Sequence, residues 1–199
     1  ASSDDEMSNY KELPFLDKFL GLNARMWTTN QGLTGHHNWQ LSPQDWPLLL
    51  RGINYWAKDH KHVYFIGNAP VWWLLTGAVL VFVVYVGVEV LKWQSGHAVA
   101  QDKNLYNFNS QVFLYVLGWL LHYAPFFIMG RQLFLHHYLP AAYFGLLALG
   151  HFFEVLVSYI GSKYRALKVV SYTILLISFV SAIWFYLRYS PLIYGDRWT

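Results

Sequence analysis

Hydrophobic and polar positions divide this chain into a mixed first third and an apolar remainder. Four long apolar runs follow one another, at about 71–91, 112–130, 139–160 and 169–187. Each approaches the roughly 20 residues that an α-helix needs to cross the hydrocarbon core of a bilayer. The pattern predicts an all-α integral membrane domain over 70–189 with four transmembrane helices. Trp72, Trp73, Trp93, Trp184 and Tyr189 stand near the ends of the runs, where amphipathic rings settle at a membrane–water boundary. Pro70 and Pro140 suit the first turns of helices, and Pro125, inside the second run, predicts a kink. The connections at 92–111, 131–138 and 161–168 are short, and four crossings bring both termini to one side.

Upstream of the first run, the stretch 14–28 has helical periodicity. Phe15, Leu16, Phe19, Leu20, Met26 and Trp27 share one broad face, with Asp17, Lys18 and Arg25 elsewhere. This predicts an amphipathic helix, lying flat on a membrane surface or packed on the rest of the protein. The stretch 30–67 is rich in Gly, Asn, Pro, Trp and His and predicts loops, short turns and one hairpin. No internal repeat or low-complexity segment is visible. The organisation expected is thus a membrane-proximal segment (1–69), the four-helix domain and a short tail (190–199).

Composition sharpens this picture. Of 199 residues, 55% are hydrophobic, 20% aromatic and only 13% charged, against about 25% charged in a soluble domain. The net charge of +3 includes no basic run of the kind that binds nucleic acid. The chain has no cysteine, which excludes disulfide and thiol chemistry. The opening ASSDDEMSNYKE is acidic, has no apolar centre and does not read as a signal peptide; without an initiator Met, it reads as a piece of something longer. Loop charge does not orient the spans. Lys92, Lys103, Lys163, Arg165 and Lys168 on one side balance Lys58, Lys61, Arg131, Arg188 and Arg197 close to the spans on the other.

The groups most able to carry chemistry lie in and after the second run. Arg131 follows it directly, and a guanidinium at a membrane boundary either holds a phosphate headgroup or snorkels as an anchor. His136, His137 and Tyr138 occupy the next short loop, suited to binding a headgroup or sugar or to passing a proton. His122 stands one turn before Pro125 and is expected to face the bundle or a cavity rather than lipid. His151 and Glu154, three residues apart on the third run, can pair along one helix face. Glu89 and Lys92 have the same spacing. Nine histidines raise the question of a metal, but no zinc-ligand spacing is present and none is expected to bind.

LHYAPFFIMGRQLFLHHYLPA (121–141) closely resembles the C-terminal membrane region of the dolichyl-phosphate-mannose protein O-mannosyltransferases. MWTTNQGLT (26–34), WPLLLRGINYW (46–56), VYFIGNAPVWW (63–73) and PLIYG (191–195) extend the resemblance, in the family's order, over nearly the whole chain. The MWTTN and GINYW wording looks most like the type-2 subfamily. The resemblance implies a GT-C type fold in the endoplasmic reticulum membrane. It also implies transfer of mannose from dolichyl phosphate mannose to Ser or Thr of secretory proteins in the lumen. It orients the chain with 1–69, 131–138 and the C-terminus luminal, so that Arg131, His136 and His137 fall on the side of the chemistry. It further implies a heterodimer, with a type-1 member as partner.

Some family features have no counterpart in this chain. The family's catalytic acidic pair belongs to its first luminal loop, in an N-terminal half that precedes a luminal MIR domain. Asp5-Glu6 is an acidic pair by composition only and lacks that context. No catalytic residue is therefore expected in this segment, and the isolated chain is expected to be inactive. Two functions stay open: the C-terminal portion of the transferase, or a non-catalytic membrane module for subunit assembly. An ion or solute transporter built on His122, His151 and Glu154 lacks the expected broken-helix repeats.

Overall fold

The computed structural model describes residues 13–97, 103–161 and 164–197; Asp5-Glu6 and Lys163 lie outside them. The chain forms two compact units, one comprising residues up to His36 with Met129–Gln132, the other comprising His37–Ile128 with Leu133 onward.

The first unit is built on helix α1, Phe15–Gly32, which contains the predicted amphipathic stretch and runs one turn further. Pro14 at its N-cap, with φ −54° and ψ 151°, starts the helix. Its end is fastened to the 129–132 strip: Gln132 N–H donates to Leu33 O at 2.9 Å, and Arg131 Nη1 donates to Asn30 Oδ1. None of the α1 residues is buried.

The second unit opens with loops that contain a short 3-10 turn at Pro43–Asp45, followed by an antiparallel hairpin, β1 (Ile53–Lys58) and β2 (Lys61–Phe65). Asp59 and His60 form its tip with φ of 51° and 61°, the doubly positive geometry that matches strand twist in a two-residue turn. Lys61 also bridges Arg197 near the C-terminus. The hairpin is the one departure from an all-helical fold among the described residues.

Helix α2, Ala69–Gln94, starts where Asn68 Oδ1 accepts the Val71 N–H at 3.3 Å, with Pro70 in the first turn. Its 26 residues reach about 39 Å. Helix α3, Lys103–Tyr123, begins nine residues before the apolar run and ends seven before the run's end. Pro125 explains the early end. It lies in a 3-10 turn, Ala124–Phe127, because it has no N–H to continue the ladder and its ring meets the carbonyl four residues back. The expected kink is therefore a termination. Helix α4, Leu139–Glu154, begins with Pro140 and continues into a π-turn, Val155–Ile160. Helix α5, Arg165–Tyr194, is closed by Gly195 at φ 75°. Three helices, at Ala69–Gln94, Leu135–Tyr159 and Arg165–Tyr194, are long and apolar enough to cross a membrane. α3 is not, because its first half carries Asn107, Asn109, Ser110 and Gln111.

Helix α4 packs against α2 and α3, and α5 against α2 and β2. Val79, Phe82, Val112 and Ala148 form the centre, flanked by Tyr85, Phe108, Trp119 and Phe152. Small residues permit the close approach, as is usual between membrane helices: Gly118 lies under the Phe144 ring, and Gly145 faces Leu75.

Candidate functional site

Trp46 organises the surroundings of the histidine pair. Its side chain is fully buried and is met by the rings of Tyr123, Phe126, His137 and Tyr138. The backbone around it is held by α2: Trp72 Nε1 donates to Trp46 O at 2.6 Å, Thr76 Oγ1 to Pro47 O at 2.8 Å and Trp73 Nε1 to Leu48 O at 2.9 Å. The Tyr123 hydroxyl donates to Pro43 O at 2.9 Å. These bonds satisfy four carbonyls of a segment with no regular ladder of its own.

On this base sits a 3-10 turn, Leu135–Tyr138. Leu135 and Tyr138 point inward and are fully buried, while His136 and His137 stay half-exposed. The two imidazoles stack at 4.4 Å and 28°, and the Phe134 ring lies nearly parallel to His136 at 5.7 Å. His37 meets Phe134 edge-on at 5.1 Å. His137 Nδ1 lies 3.0 Å from both the Phe134 N–H and the Phe134 carbonyl oxygen, which ties the ring to its own turn. The Tyr55 hydroxyl, from β1, lies 3.5 Å from His136 Nδ1. The result is an aromatic and imidazole slab able to stack on a planar or sugar face and to exchange protons. Tyr138 is not part of its surface, because its hydroxyl accepts from Trp119 Nε1 at 2.9 Å inside the protein.

Arg131 belongs to the first unit. It is half-buried, with Nε donating to Gln132 O at 3.2 Å in addition to the Asn30 bond. The guanidinium therefore holds the end of α1, a role that adjacency in sequence did not reveal, since Asn30 is 101 residues away.

The remaining candidates lie elsewhere. His151 is buried among Phe82, Phe108 and Tyr115, and its Nδ1 lies 3.1 Å from Glu154 Oε2. Glu154 itself is largely exposed, with 68% of its side chain open. His122 is likewise exposed on this chain rather than turned into the bundle; its ring stacks on Phe144 and its Nδ1 donates to Gly118 O at 2.8 Å. Lys92 pairs with Glu89 at 2.7 Å. Among the described residues, no group of three or more His, Cys, Asp or Glu could hold a metal ion.

The family model for the "C-terminal four TMM region of protein-O-mannosyltransferase" matches residues 15–199. The chain belongs to the protein O-mannosyltransferase family. It is 52% identical, over 99% of its length, to dolichyl-phosphate-mannose–protein mannosyltransferase 1 of Candida albicans and covers 22% of that relative. Identity to the Saccharomyces cerevisiae mannosyltransferase 1 is 41% over 98% of the chain, covering 24% of the relative. The chain thus spans about a quarter of the length of the mannosyltransferases it matches. These two relatives are named as member 1, so the type-2 likeness read from MWTTN and GINYW is not the one they carry. Among solved structures, the S. cerevisiae protein O-mannosyltransferase Pmt1-Pmt2 complex bound to the sugar donor superposes with a TM-score of 0.82 and 42% identity. The match covers 96% of this chain and 26% of that one.

Proposed function

We propose that this chain forms the C-terminal membrane region of an enzyme that transfers mannose from dolichyl phosphate mannose to Ser or Thr hydroxyls of secretory proteins in the endoplasmic reticulum lumen. The likeness to a donor-bound mannosyltransferase complex over 96% of the chain carries this reading. In it, the chain crosses the membrane four times, with 1–69, 131–138 and 190–199 luminal. The second crossing is the short one. The apolar part of α3 together with the turn through Phe127 reaches about 26 Å, close to a hydrocarbon core of about 30 Å.

The transfer is inverting and metal-independent. A carboxylate deprotonates the acceptor hydroxyl, and cationic groups stabilise the leaving phosphate. The carboxylate comes from the acidic loop in the N-terminal half of the whole enzyme, so this chain transfers no mannose alone. Its contribution is Arg131 toward the donor headgroup, and His136 and His137 as further luminal groups. A second family member is the partner. His151 serves packing, and His122 and Glu154 take no part in the transfer.

The test uses the full-length parent enzyme. Arg131→Ala should lower mannosyl transfer by roughly 10²–10³-fold with normal membrane yield, and Asn30→Ala should leave it near wild type. Equal losses in both variants would show that Arg131 acts only by holding α1, and wild-type transfer in Arg131→Ala would remove it from the donor site.

A second reading, subunit assembly, is favoured by α5, in which only Ser171 and Phe185 are buried among the described side chains. Retained association with a family member after polar substitution of Leu176 and Phe179 would end it.

A further inference from the structure

We propose that α1 is an interfacial helix whose apolar face lies in the membrane surface, so that lipid, not protein, covers it. At 100° per residue, Phe15, Phe19, Leu22 and Met26 make one stripe and Leu16, Leu20 and Trp27 the next. Together they span an arc of about 160°. More than half of each of these side chains is exposed. Asp17, Lys18, Arg25, Thr28 and Gln31 occupy the opposite arc.

Two polar residues interrupt the apolar arc, Asn23 and Asn30, and each makes one side-chain hydrogen bond within the first unit. Asn23 Nδ2 donates to Phe19 O at 2.8 Å, and Asn30 Oδ1 accepts from Arg131 Nη1. An internal partner lowers the cost of taking a polar atom out of water, and the headgroup side of the boundary offers partners to the remaining amide atoms, so the arc can enter the boundary between headgroups and acyl chains. Opposite it, Thr28 Oγ1 bonds to Ala24 O at 3.0 Å.

The chemistry of the helix fits lipid better than a charged partner. Asp17 offsets one of the two cations, so attraction to anionic headgroups is weak, and the apolar area must supply the binding. Continuity of the chain gives the level. The strip that grips the end of α1 begins at Met129, directly after Ile128, which is 80% exposed at the end of an apolar run. In the four-crossing reading proposed above, that strip leaves the hydrocarbon core, and a helix end fastened to it is held where an interfacial helix has to lie. None of this depends on the transfer activity.

The absence of cysteine makes the test clean. Single-cysteine variants Phe19→Cys and Met26→Cys probe the apolar arc, and Ala24→Cys and Thr28→Cys the polar one. Each is introduced into the full chain, labelled with a fluorophore and reconstituted in phosphatidylcholine vesicles with and without phosphatidylserine. Quenching by a phospholipid carrying a nitroxide near the headgroup is compared with quenching by aqueous iodide. The expected result is strong lipid quenching and weak iodide quenching at Phe19 and Met26. The order reverses at Ala24 and Thr28, and phosphatidylserine has little effect. Strong iodide quenching at all four positions would overturn the proposal by placing the helix in water. Protection of Phe19 and Met26 from both quenchers would overturn it in favour of packing against protein.

Discussion

Substitution of Trp46 separates volume from hydrogen bonding at the base of the histidine turn. The indole is fully buried, and four rings surround it. Among the described residues its N–H meets no acceptor. Truncation to alanine removes nearly the whole side chain, and Trp→Ala in a packed core costs about 3–5 kcal/mol. Trp46→Phe has two opposing effects. It loses part of the ring's contacts, but it also removes a buried donor whose lack of a partner costs about 1–3 kcal/mol. The two nearly cancel, so Trp46→Phe should lie within about 1 kcal/mol of wild type. For a chain of this size each kcal/mol moves the midpoint by about 2–4 °C. Thermal unfolding of the detergent-solubilised chain should therefore show Trp46→Ala lower by roughly 10 °C and Trp46→Phe nearly unchanged. Equal losses in both variants would refute the reasoning about the unpaired donor. A loss under about 2 °C in Trp46→Ala would refute the assignment of Trp46 as the support of the turn.

Three further outcomes follow from the packing. Gly118→Ala places a methyl into the Phe144 ring, and Gly145→Ala places one 2.8 Å from Cδ1 of the fully buried Leu75; each should cost about 1–3 kcal/mol, read as a lower unfolding midpoint. His151→Phe removes a ring nitrogen, Nε2, that is buried without a partner among the described residues, so stability should hold or rise by about 1 kcal/mol and transfer by the full-length enzyme should be unchanged. A loss of transfer with stability intact would give His151 more than a packing role. His60→Gly relieves a left-handed backbone at φ 61° and should stabilise the hairpin by up to about 1 kcal/mol, read as a higher midpoint.

Local chemistry made much of the fold legible in advance. Pro70 and Pro140 open their helices, and the stretch 30–67 does contain one hairpin, whose place at Ile53–Phe65 the sequence did not indicate. Pro125 was visible too, but its effect was not. Whether a proline bends or ends a helix depends on whether neighbours can restore the lost bonds, and periodicity carries no information about that. The beginning of α3 was missed for a related reason, since its polar first half continues the ladder without apolar residues to announce it. At the site, the adjacency of His136 and His137 was plain and Phe134 lies beside them in sequence, but Trp46, which stacks on His137, and His37, which meets Phe134 edge-on, come from distant segments. Trp46 read only as punctuation within WPLLL. Arg131 is the sharpest case: a boundary cation in sequence, it is bonded in space to Asn30.

The bonds that hold the loop before α2 also set a timetable for making the protein. The acceptors at Trp46, Pro47 and Leu48 are polymerised before their donors at Trp72, Thr76 and Trp73, and Pro43 waits for a tyrosine 80 residues further on. At about 5–20 residues per second, that interval is roughly 4–16 s. During it, the ribosome has released a stretch in which Pro43 O and Trp46 O hold only their local turn bonds and the side-chain donors that fasten it are still to come. The order of synthesis thus leaves this stretch open to chaperones until the second apolar run has emerged.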